Sequence, residues 1–494
     1  MFVHELIRQG NPEDTAIYQE NRAIRYGELI TAVTNCRNYL YATGVRLGDR
    51  VAIYSRNCAE YICTYMAIAS LGAIVVPVNF QLSMRETAFI LKNAGIHHLI
   101  TYKRLDLDAA INLHDYDGGV QQIDIKTCCQ PSEAAPAPAL PKDFRADEPC
   151  VIIYTSGTTG SPKGAVLSHR NLTSDAEMFS KVLHIGSADN VLCVLPMYHC
   201  FAWTCSVLNA LFCGTAITIL DSFTPKETIE VIRTKKISVI YVVPSICALL
   251  TKLARPEDLA SIRYTIIGGT TLPLTIAKNY KAKFGVDIME GYGLSEASPV
   301  VAVNPPERVK VGSIGPVLPG IIIRIAAADG TEVPDGESGE LLIQGANVMH
   351  GYWKQPEATE EALRDGWLHT GDIARRDADG YLYIVDRLKD MIISMGENIY
   401  PREIEELVYA FPGIREAAVI GIEDRLRGQA GCCYYSVQGD DTVNVRALKK
   451  YLQQNLALYK IPREFRQIDE LPKTSTSKIA KKELVKIYAA EKKQ

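Results

Sequence analysis

The sequence predicts an α/β fold: a large N-terminal domain of two doubly wound sheets plus a small β-barrel, followed by a small mobile α+β C-terminal domain. A chain of 494 residues exceeds what one hydrophobic core usually serves, so more than one domain is expected. Short, almost wholly apolar runs alternate with helical segments, a pattern typical of parallel sheets covered on both faces. These runs are VAIYS (51–55), AIVVPV (73–78), HHLITY (97–102), VIIYTS (151–156), AITIL (216–220), VIYVVP (239–244) and YTIIGG (264–269).

The sequence texture changes beyond about residue 310, where IIIRIAAADGTEVPDGESGELLIQG has short strands separated by DG and Gly-rich turns. Such turns are typical of antiparallel β structure, here the small barrel. After RLKD (387–390), a helix PREIEELVYAF, strands EAAVIGI and GCCYYSV, and a helix over Val445–Asn455 indicate a compact α+β unit. We therefore predict domains over residues 1–386 and 387–494.

Composition and charge exclude several classes of protein. The chain is 47% hydrophobic and 22% charged with a net charge of -4, which is ordinary for a globular enzyme. No basic patch is interleaved with aromatic residues, so no nucleic-acid partner is expected. The thirteen cysteines form no C-x-x-C and no zinc-like spacing, which predicts free thiols in a reducing cytoplasm.

No membrane-targeting segment is predicted. The N-terminus MFVHELIRQGNPED lacks the cationic start and apolar run of a signal peptide. Two uncharged stretches, 61–84 and 191–220, are interrupted by glycine and proline and lack basic flanks. They are interpreted as buried helix–strand units. Peripheral membrane contact through the lysine-rich C-terminal tail stays open, as does the choice between a monomer and a homodimer.

The stretch YTSGTTGSPKG (154–164) has the ingredients of a phosphate loop. It fits neither the Walker spacing nor the dinucleotide spacing. A buried strand nevertheless leads into glycines that let backbone N–H groups converge on an anion, while hydroxyls and one lysine add donors and charge. The predicted phosphate contacts are Thr155, Ser156, Gly157, Thr158, Thr159, Gly160 and Lys163.

Three further motifs accompany this loop: EGYGLSEASP (290–299), GWLHTGDIARRDADGYLYIVDRLKDMI (366–392) and LPKTSTSKIAKKEL (471–484). With them the chain resembles the adenylate-forming superfamily of acyl-CoA synthetases, peptide-synthetase adenylation domains and luciferases. The resemblance runs from about residue 10 to about residue 485 and is closest to bacterial medium- and long-chain fatty-acid–CoA ligases.

The resemblance implies a nucleotide site and its chemistry. Tyr292 would pack on adenine, Ser295 would contact the α-phosphate, and Glu296 would hold Mg²⁺ together with Thr155, since Mg²⁺ prefers oxygen ligands. Asp372 would accept hydrogen bonds from both ribose hydroxyls, with Arg387 also reaching the ribose. The other implied nucleotide contacts are Gly269, Glu290 and Gly291.

The resemblance also implies residues for the acid, the catalytic charge and the domain movement. Tyr198, His199 and Trp203 in LPMYHCFAWTCSV, with Gly268, would line the acid pocket. Lys478 would stabilise charge as one anion attacks another. Ser477 stands where the family has glycine, so Lys481 and Lys482 stay open as competitors for that role. Lys389 would be the hinge, and Gly396 would line the channel for coenzyme A.

The implied activity is that of an ATP-dependent fatty-acid–CoA ligase, which forms acyl-AMP and pyrophosphate, then transfers the acyl group to coenzyme A. A medium- or long-chain fatty acid is favoured, because Ile393 stands where aryl ligases and luciferases typically have lysine. An aryl, short-chain or branched acid stays open, as does an acyl-AMP ligase that loads a carrier protein. ATP, coenzyme A and Mg²⁺ are the implied substrates and cofactor.

Overall fold

The computed structural model describes residues 1–107, 119–131, 134–155, 162–395, 397–424, 426–437, 439, 442–473 and 479–492. The chain divides into two compact units. Unit 1 consists of Met1–Leu272, Ile276–Ile323 and Ile343–His369. Unit 2 consists of Pro273–Thr275, Arg324–Leu342 and Thr370–Gln494, so it contains residues from both sides of the predicted boundary at 386/387.

The described residues form the following strands and helices. The strands are β1 (Thr15–Gln19), β2 (Arg22–Arg25), β3 (Arg50–Tyr54), β4 (Ile74–Pro77), β5 (His98–Thr101), β6 (Gln121–Asp124), β7 (Pro149–Thr155), β8 (Lys163–Ser168), β9 (Asn190–Cys193), β10 (Ala216–Ile219), β11 (Val239–Val242), β12 (Tyr264–Ile267), β13 (Ile288–Gly293), β14 (Val300–Val303), β15 (Ile322–Ala326), β16 (Gly339–Gln344), β17 (Gly351–Tyr352), β18 (Leu368–Arg376), β19 (Leu382–Arg387), β20 (Ile392–Ser394), β21 (Glu397–Ile399), β22 (Ile414–Asp424), β23 (Gly428–Val437) and β24 (Glu464–Gln467). The α-helices are α1 (Tyr26–Ala42), α2 (Ala59–Ser70), α3 (Met84–Ala94), α4 (Ile125–Cys128), α5 (His169–Leu183), α6 (Asn209–Phe212), α7 (Pro225–Thr234), α8 (Pro244–Leu253), α9 (Leu274–Phe284), α10 (Pro356–Ala362), α11 (Pro401–Ala410), α12 (Val445–Asn455) and α13 (Lys481–Glu491). A π-helix spans Ala202–Leu208, and short 3₁₀ helices include Ser295–Ala297 and Leu388–Asp390.

An eight-stranded sheet in unit 1 has the order β14-β13-β12-β11-β9-β10-β1-β2. All its pairs from β1 through β13 are parallel, and β2 and β14 join antiparallel at the two edges. Its central strands are apolar throughout because helices cover both faces, as the VIYV sequence of fully buried β11 illustrates. The predicted doubly wound arrangement is confirmed here.

A seven-stranded sheet in unit 1 has the order β17-β8-β7-β4-β3-β5-β6. The strands from β7 to β6 are parallel neighbours, whereas β8 and β17 add antiparallel at one edge. Helix α3 begins with a capping box, in which the Ser83 hydroxyl accepts from the Glu86 N–H and the Glu86 carboxylate accepts from the Ser83 N–H. It ends at Gly95, whose φ of 68° suits a residue without Cβ.

The two uncharged stretches are buried helix–strand units, as predicted. Residues 61–84 contain most of α2 followed by β4, and residues 191–220 contain most of β9, the π-helix, α6 and β10. Among the residues described, no helix is both long enough and apolar enough to cross a bilayer.

The strands that follow residue 310 form a four-stranded sheet, order β15-β16-β18-β19, in the region where a small barrel was predicted. Unit 2 also contains a five-stranded sheet built on β22 and β23. Helices α11 and α12 pack on one face of that sheet and α13 packs on the other. Residues alternate across a strand, so the adjacent Cys432 and Cys433 belong to the cores on opposite faces.

One buried carboxyl group in unit 1 makes stability depend on pH. Asp175 of α5 is fully buried, and one of its oxygens accepts from the Val300 N–H at 3.2 Å. Burial raises the pKa of Asp175 well above its usual range, and the Val300 hydrogen bond only partly opposes this. The folded protein therefore retains a proton that the unfolded chain loses above about pH 4, and the free energy of unfolding falls as pH rises.

We expect Asp175→Asn to raise the thermal unfolding midpoint at pH 8, because the amide keeps the shape but cannot ionise. The gain corresponds to about 1.4 kcal/mol for each unit by which the pKa is raised. It should shrink toward pH 4, and unfolding measured between pH 4 and 8 checks this. Asp221→Asn, at an exposed carboxylate, is the control. A difference between Asp175→Asn and wild type that does not change with pH would contradict the assignment.

Candidate active site

Several predicted site residues lie at the carboxyl ends of the parallel strands in the eight-stranded sheet. Strands β9, β12 and β13 run parallel, so their carboxyl ends meet at one edge of the sheet, the usual position for ligands in such sheets. Strand β9 leads toward Tyr198 and His199, β12 leads into Gly268 and Gly269, and β13 contains Gly291. Chain segments far apart in sequence are thereby brought together.

Glycine allows close approach at this edge. A Cβ atom on Gly268 would lie 3.2 Å from the Phe201 ring and 3.6 Å from the Gly291 carbonyl oxygen. The distance to the ring is shorter than Cβ atoms normally have to their neighbours, so a larger residue would be crowded here. Gly269 has a φ of 81°, which L side chains rarely adopt. The predicted acid-pocket and nucleotide segments therefore contact each other at Gly268.

Glu296 lies on the short 3₁₀ helix that follows β13, and its carboxylate is oriented by a tyrosine. The Tyr352 hydroxyl donates to Glu296 Oε1 at 2.8 Å, and the Lys163 Nζ lies 5.0 Å from the centre of the Tyr352 ring. Burial, and then the Glu296 carboxylate, raise the pKa of Tyr352, so its hydroxyl keeps its proton and donates. Tyr352 thus connects the end of the predicted phosphate loop to the predicted metal ligand.

Tyr352 is a site residue that sequence reasoning missed. It belongs to β17, which pairs antiparallel with β8, and Tyr352 lies opposite Ala165. Lys163 begins β8, where it lies opposite Thr155 at the end of β7, and the Thr155 hydroxyl donates to the Lys163 carbonyl at 3.4 Å. The predicted loop therefore connects two antiparallel strands, and only strand pairing shows that β17 lies beside them.

The other predicted residues of the second motif have defined neighbours. The Ser295 hydroxyl lies 3.3 Å from the Cys200 thiol, so it is adjacent to the segment predicted for the acid. Tyr292 is half-buried and lies opposite Ala302 of β14. Glu290 is buried, and its Oε1 accepts from the Leu272 N–H at 3.2 Å. That contact gives Glu290 a part in holding the loop that follows Gly269.

The residues predicted for the acid pocket differ in their surroundings. Tyr198 packs edge-on against Phe80, and its hydroxyl lies 3.4 Å from the Gln81 Oε1. Burial raises the pKa of Tyr198 to about 12, so the hydroxyl is neutral. His199 Nδ1 accepts from the Phe201 N–H at 3.2 Å, which makes Nδ1 the unprotonated nitrogen of the ring.

Trp203 is part of a buried aromatic cluster. It is 3% exposed, and its ring centre lies 4.0 Å from that of Tyr65 and 5.6 Å from that of Tyr61, both in α2. These contacts join the π-helix to α2. Its predicted role in lining the acid pocket stays a prediction.

In unit 2 the two predicted ribose contacts form a cross-strand pair. Asp372 of β18 lies opposite Arg387 of β19, and Asp372 Oδ1 is 3.1 Å from Arg387 Nε. The Asp372 side chain is 7% exposed, whereas that of Arg387 is 53% exposed. The Asp372 N–H donates to the Thr370 hydroxyl, which itself donates to the Leu341 carbonyl. The carboxylate is therefore held firmly beside a cation.

Lys481, one of the lysines of the C-terminal motif, is engaged within unit 2. Its Nζ lies 2.7 Å from Glu405 Oε1, and that oxygen also accepts from the Val419 N–H. Burial opposes the charge on Lys481, but Glu405 and Asp386 together raise the pKa of Lys481. A half-buried ammonium held in this way is committed to its partners in unit 2, which makes Lys481 a poor competitor for a catalytic role.

Of the two residues predicted for the hinge and the coenzyme A channel, Lys389 is described and Gly396 is not. Lys389 is exposed on the 3₁₀ helix Leu388–Asp390, directly after β19. The predicted residues that lie outside the described ranges are Ser156, Gly157, Thr158, Thr159, Gly160, Gly396 and Lys478.

Comparisons with known proteins show the family of the chain. Residues 6–353 match the AMP-binding enzyme family, and residues 403–478 match the AMP-binding enzyme C-terminal domain. The feruloyl-CoA synthase of Amycolatopsis sp is 36% identical over 483 residues, which cover 96% of each chain. The long-chain-fatty-acid–CoA ligase of Bacillus subtilis (strain 168) is 30% identical, covering 96% of this chain and 92% of the relative.

The fold also matches solved structures. The crystal structure of ATP-bound MatB from Rhodopseudomonas palustris superposes with a TM-score of 0.91 at 28% identity, covering 99% of each chain. The chain belongs to the AMP-binding enzyme family.

Proposed function

We propose that this protein is an AMP-forming acid–CoA ligase that activates a hydrophobic carboxylic acid with ATP and transfers the acyl group to coenzyme A. The observation that carries the proposal is the linked set of Lys163, Tyr352 and Glu296 at the end of the predicted phosphate loop. A cation and an oriented carboxylate at this point suit a nucleotide triphosphate and its accompanying metal. The relatives named as acid–CoA ligases support the same activity.

In the first half-reaction, a carboxylate oxygen of the acid attacks the α-phosphorus of ATP, and pyrophosphate leaves. The hydroxyls and glycines of the 155–160 segment, with Lys163, would bind the β- and γ-phosphates. Asp372 would accept hydrogen bonds from the ribose hydroxyls, and Lys478 would stabilise the charge on the α-phosphate. This chemistry depends on alignment and charge stabilisation, so it needs no covalent nucleophile from the protein.

The residues present fit a magnesium ion. Glu296 Oε1 is bound by Tyr352, and within the described part of the chain Oε2 makes no hydrogen bond, so it can act as a metal ligand. The Thr155 hydroxyl donates to a carbonyl and keeps its lone pairs available. Glu296 and Thr155 would therefore hold Mg²⁺, which would supply neutralisation of phosphate charge.

In the second half-reaction, the thiol of coenzyme A attacks the acyl carbon, AMP leaves, and the thiol proton passes to solvent. We propose that residues 387–494 turn about Lys389 between the two half-reactions, withdrawing Lys478 and bringing Gly396 to the acyl-AMP. Lys389 lies in a three-residue 3₁₀ helix directly after a strand, a kind of position at which hinges concentrate backbone change.

For the acid, we propose a medium- or long-chain fatty acid, supported by the apolar segment around the π-helix and by the long-chain relative. An aryl acid is the second candidate. The feruloyl-CoA relative favours it, as do Phe80 and the Tyr198–Gln81 contact, which offer aromatic and amide groups to a phenolic ring.

A pyrophosphate-release assay over fatty acids of graded chain length and over cinnamic acids such as ferulic acid tests both candidates. A fatty-acid ligase should be fastest with a medium- or long-chain acid, and an aryl ligase with a cinnamic acid. Thioester formation in the presence of coenzyme A should follow the same ranking. Acyl-AMP accumulation without any coenzyme A consumption would instead indicate a ligase that loads a carrier protein and would contradict the proposal.

Asp372→Asn should weaken ATP binding by about tenfold or more, because it removes a charged acceptor from the ribose hydroxyls. Titration of ATP at equilibrium measures this effect. Asp335→Asn is the matched control, since Asp335 also pairs with an arginine, Arg376, in unit 2 at 2.6 Å. Equal ATP affinities in wild type and Asp372→Asn would remove Asp372 from the nucleotide site.

Lys478→Ala should slow acyl-AMP formation by about a hundredfold or more, because the developing phosphate charge loses its cation. It should change thioester formation from preformed acyl-AMP only slightly. Single-turnover measurement of each half-reaction separates the two effects. Lys486→Ala, at a lysine that is 72% exposed on α13, controls for loss of positive charge near the motif. An equal loss of rate in both half-reactions would contradict the role assigned to Lys478.

A further inference from the structure

Four cysteines from three separate segments lie close together where α1, α2 and α4 of unit 1 pack. Cys36 belongs to α1, Cys63 to α2, Cys128 ends α4, and Cys129 follows it. Cys36 and Cys128 are 0% exposed and Cys63 is 3% exposed, so the group lies almost entirely inside the protein. The predicted catalytic residues do not include any of the four.

The spacing of the sulfur atoms suits one metal ion. The Sγ atoms of Cys36, Cys63 and Cys129 all lie within 4.8 Å of one another. Cys128 Sγ lies 3.8 Å from Cys129 Sγ but is not part of that group, and its thiol donates to the Ile125 carbonyl at 3.1 Å. Four thiolates at about 2.3 Å from a tetrahedral Zn²⁺ are separated by about 3.8 Å. An iron–sulfur cluster distributes its thiolates over several iron atoms and needs wider spacing. The geometry therefore favours a single cation.

A buried hydroxyl completes the surroundings of the sulfur atoms. Thr64 of α2 is 0% exposed, and its Oγ1 lies 3.4 Å from Cys128 Sγ and 3.6 Å from Cys129 Sγ. A hydroxyl in this position can donate to a thiolate, as the residues around metal ligands usually do. Thiolates are soft ligands, so they select Zn²⁺ over Mg²⁺ or Ca²⁺.

We propose that Cys36, Cys63 and Cys129 form a structural site for one thiophilic cation of the Zn²⁺ type, and that Cys128 becomes the fourth ligand when its side chain turns from the Ile125 carbonyl to the cation. Each thiol that ligates the cation releases its proton to water. With four protein ligands the site is closed, as structural zinc sites are, and it leaves no position for a substrate. The cation joins α1, α2 and α4. It therefore fixes the start of the stretch CQPSEAAPAPALPKD (129–143), whose four prolines indicate a connecting segment.

The site is tested with the full-length protein, kept under a non-thiol reductant and stripped of metal by a chelator. Titration with Co²⁺ should give thiolate-to-metal charge-transfer absorption and the intense visible bands of tetrahedral thiolate coordination, saturating at one equivalent. Zn²⁺ should then abolish these bands by displacement. Zn²⁺ should also raise the thermal unfolding midpoint, because it binds only the folded state.

Cys63→Ala and Cys247→Ala form the decisive pair, since both cysteines are buried in helices and only Cys63 belongs to the cluster. Cys63→Ala should weaken Co²⁺ binding at least about tenfold and cancel the stabilisation by Zn²⁺. Cys247→Ala should bind Co²⁺ as wild type does. If Cys63→Ala does not fold, Cys129→Ser, at the half-buried position, replaces it.

Three results would overturn the proposal. One is the absence of charge-transfer absorption in wild type. Another is an unchanged Co²⁺ spectrum and affinity in Cys63→Ala or Cys129→Ser. The third is a thiol count in the denatured, unreduced protein that falls short of thirteen by two and is restored by reductant, since the cluster would then form a disulfide.

Discussion

In the eight-stranded sheet, strands β9, β12 and β13 share one direction, so their carboxyl ends lie along the same edge. The proximity of the predicted acid segment to the predicted adenine and α-phosphate motif depends on this constraint. It brings the 195–203 segment, the glycines after β12 and the motif after β13 into contact, although long stretches of sequence separate them. The contact between Gly268 and Phe201 marks the point where two of these segments touch.

The antiparallel edge of the seven-stranded sheet makes the second contribution. Strands β7 and β8 support the two ends of the predicted phosphate loop, and β17 adds Tyr352 beside β8. Because Tyr352 donates to Glu296, the phosphate-loop sheet and the motif after β13 are connected by one hydrogen bond. The carboxylate is thereby oriented before any ligand arrives, which reduces the ordering that ligand binding must impose.

Unit 2 uses charge pairing in two different ways. Asp372 and Arg387 face each other across two strands, with the carboxylate only 7% exposed and the arginine 53% exposed, so the cation of this pair lies at the surface. Lys481 and Glu405 form a half-buried pair, in which the ammonium stabilises the carboxylate. The next residue, Lys482, is exposed, a difference between neighbouring lysines that the letters LPKTSTSKIAKKEL do not carry.

The seven apolar runs predicted part of both large sheets, because a strand buried on both faces needs apolar residues at every position. The strands that they predicted are β3, β4, β5, β7, β10, β11 and β12. The motifs in turn predicted Glu296, Asp372 and Arg387 as candidates. Sequence reasoning missed Tyr352, which lies 56 residues from Glu296 in a two-residue strand that has no periodicity to detect. All thirteen cysteines are free thiols, as predicted, but their spacing along the chain did not indicate that any of them meet. The adjacent cysteines of strand β23 point to opposite faces of the sheet, because side chains alternate along a strand. At the end of α4, by contrast, Cys128 and Cys129 lie close together, and Cys129 also lies close to Cys36 and Cys63. These contacts depend on which helices pack together. Local residue patterns determined the elements and the motifs, and only tertiary packing decided which distant side chains meet.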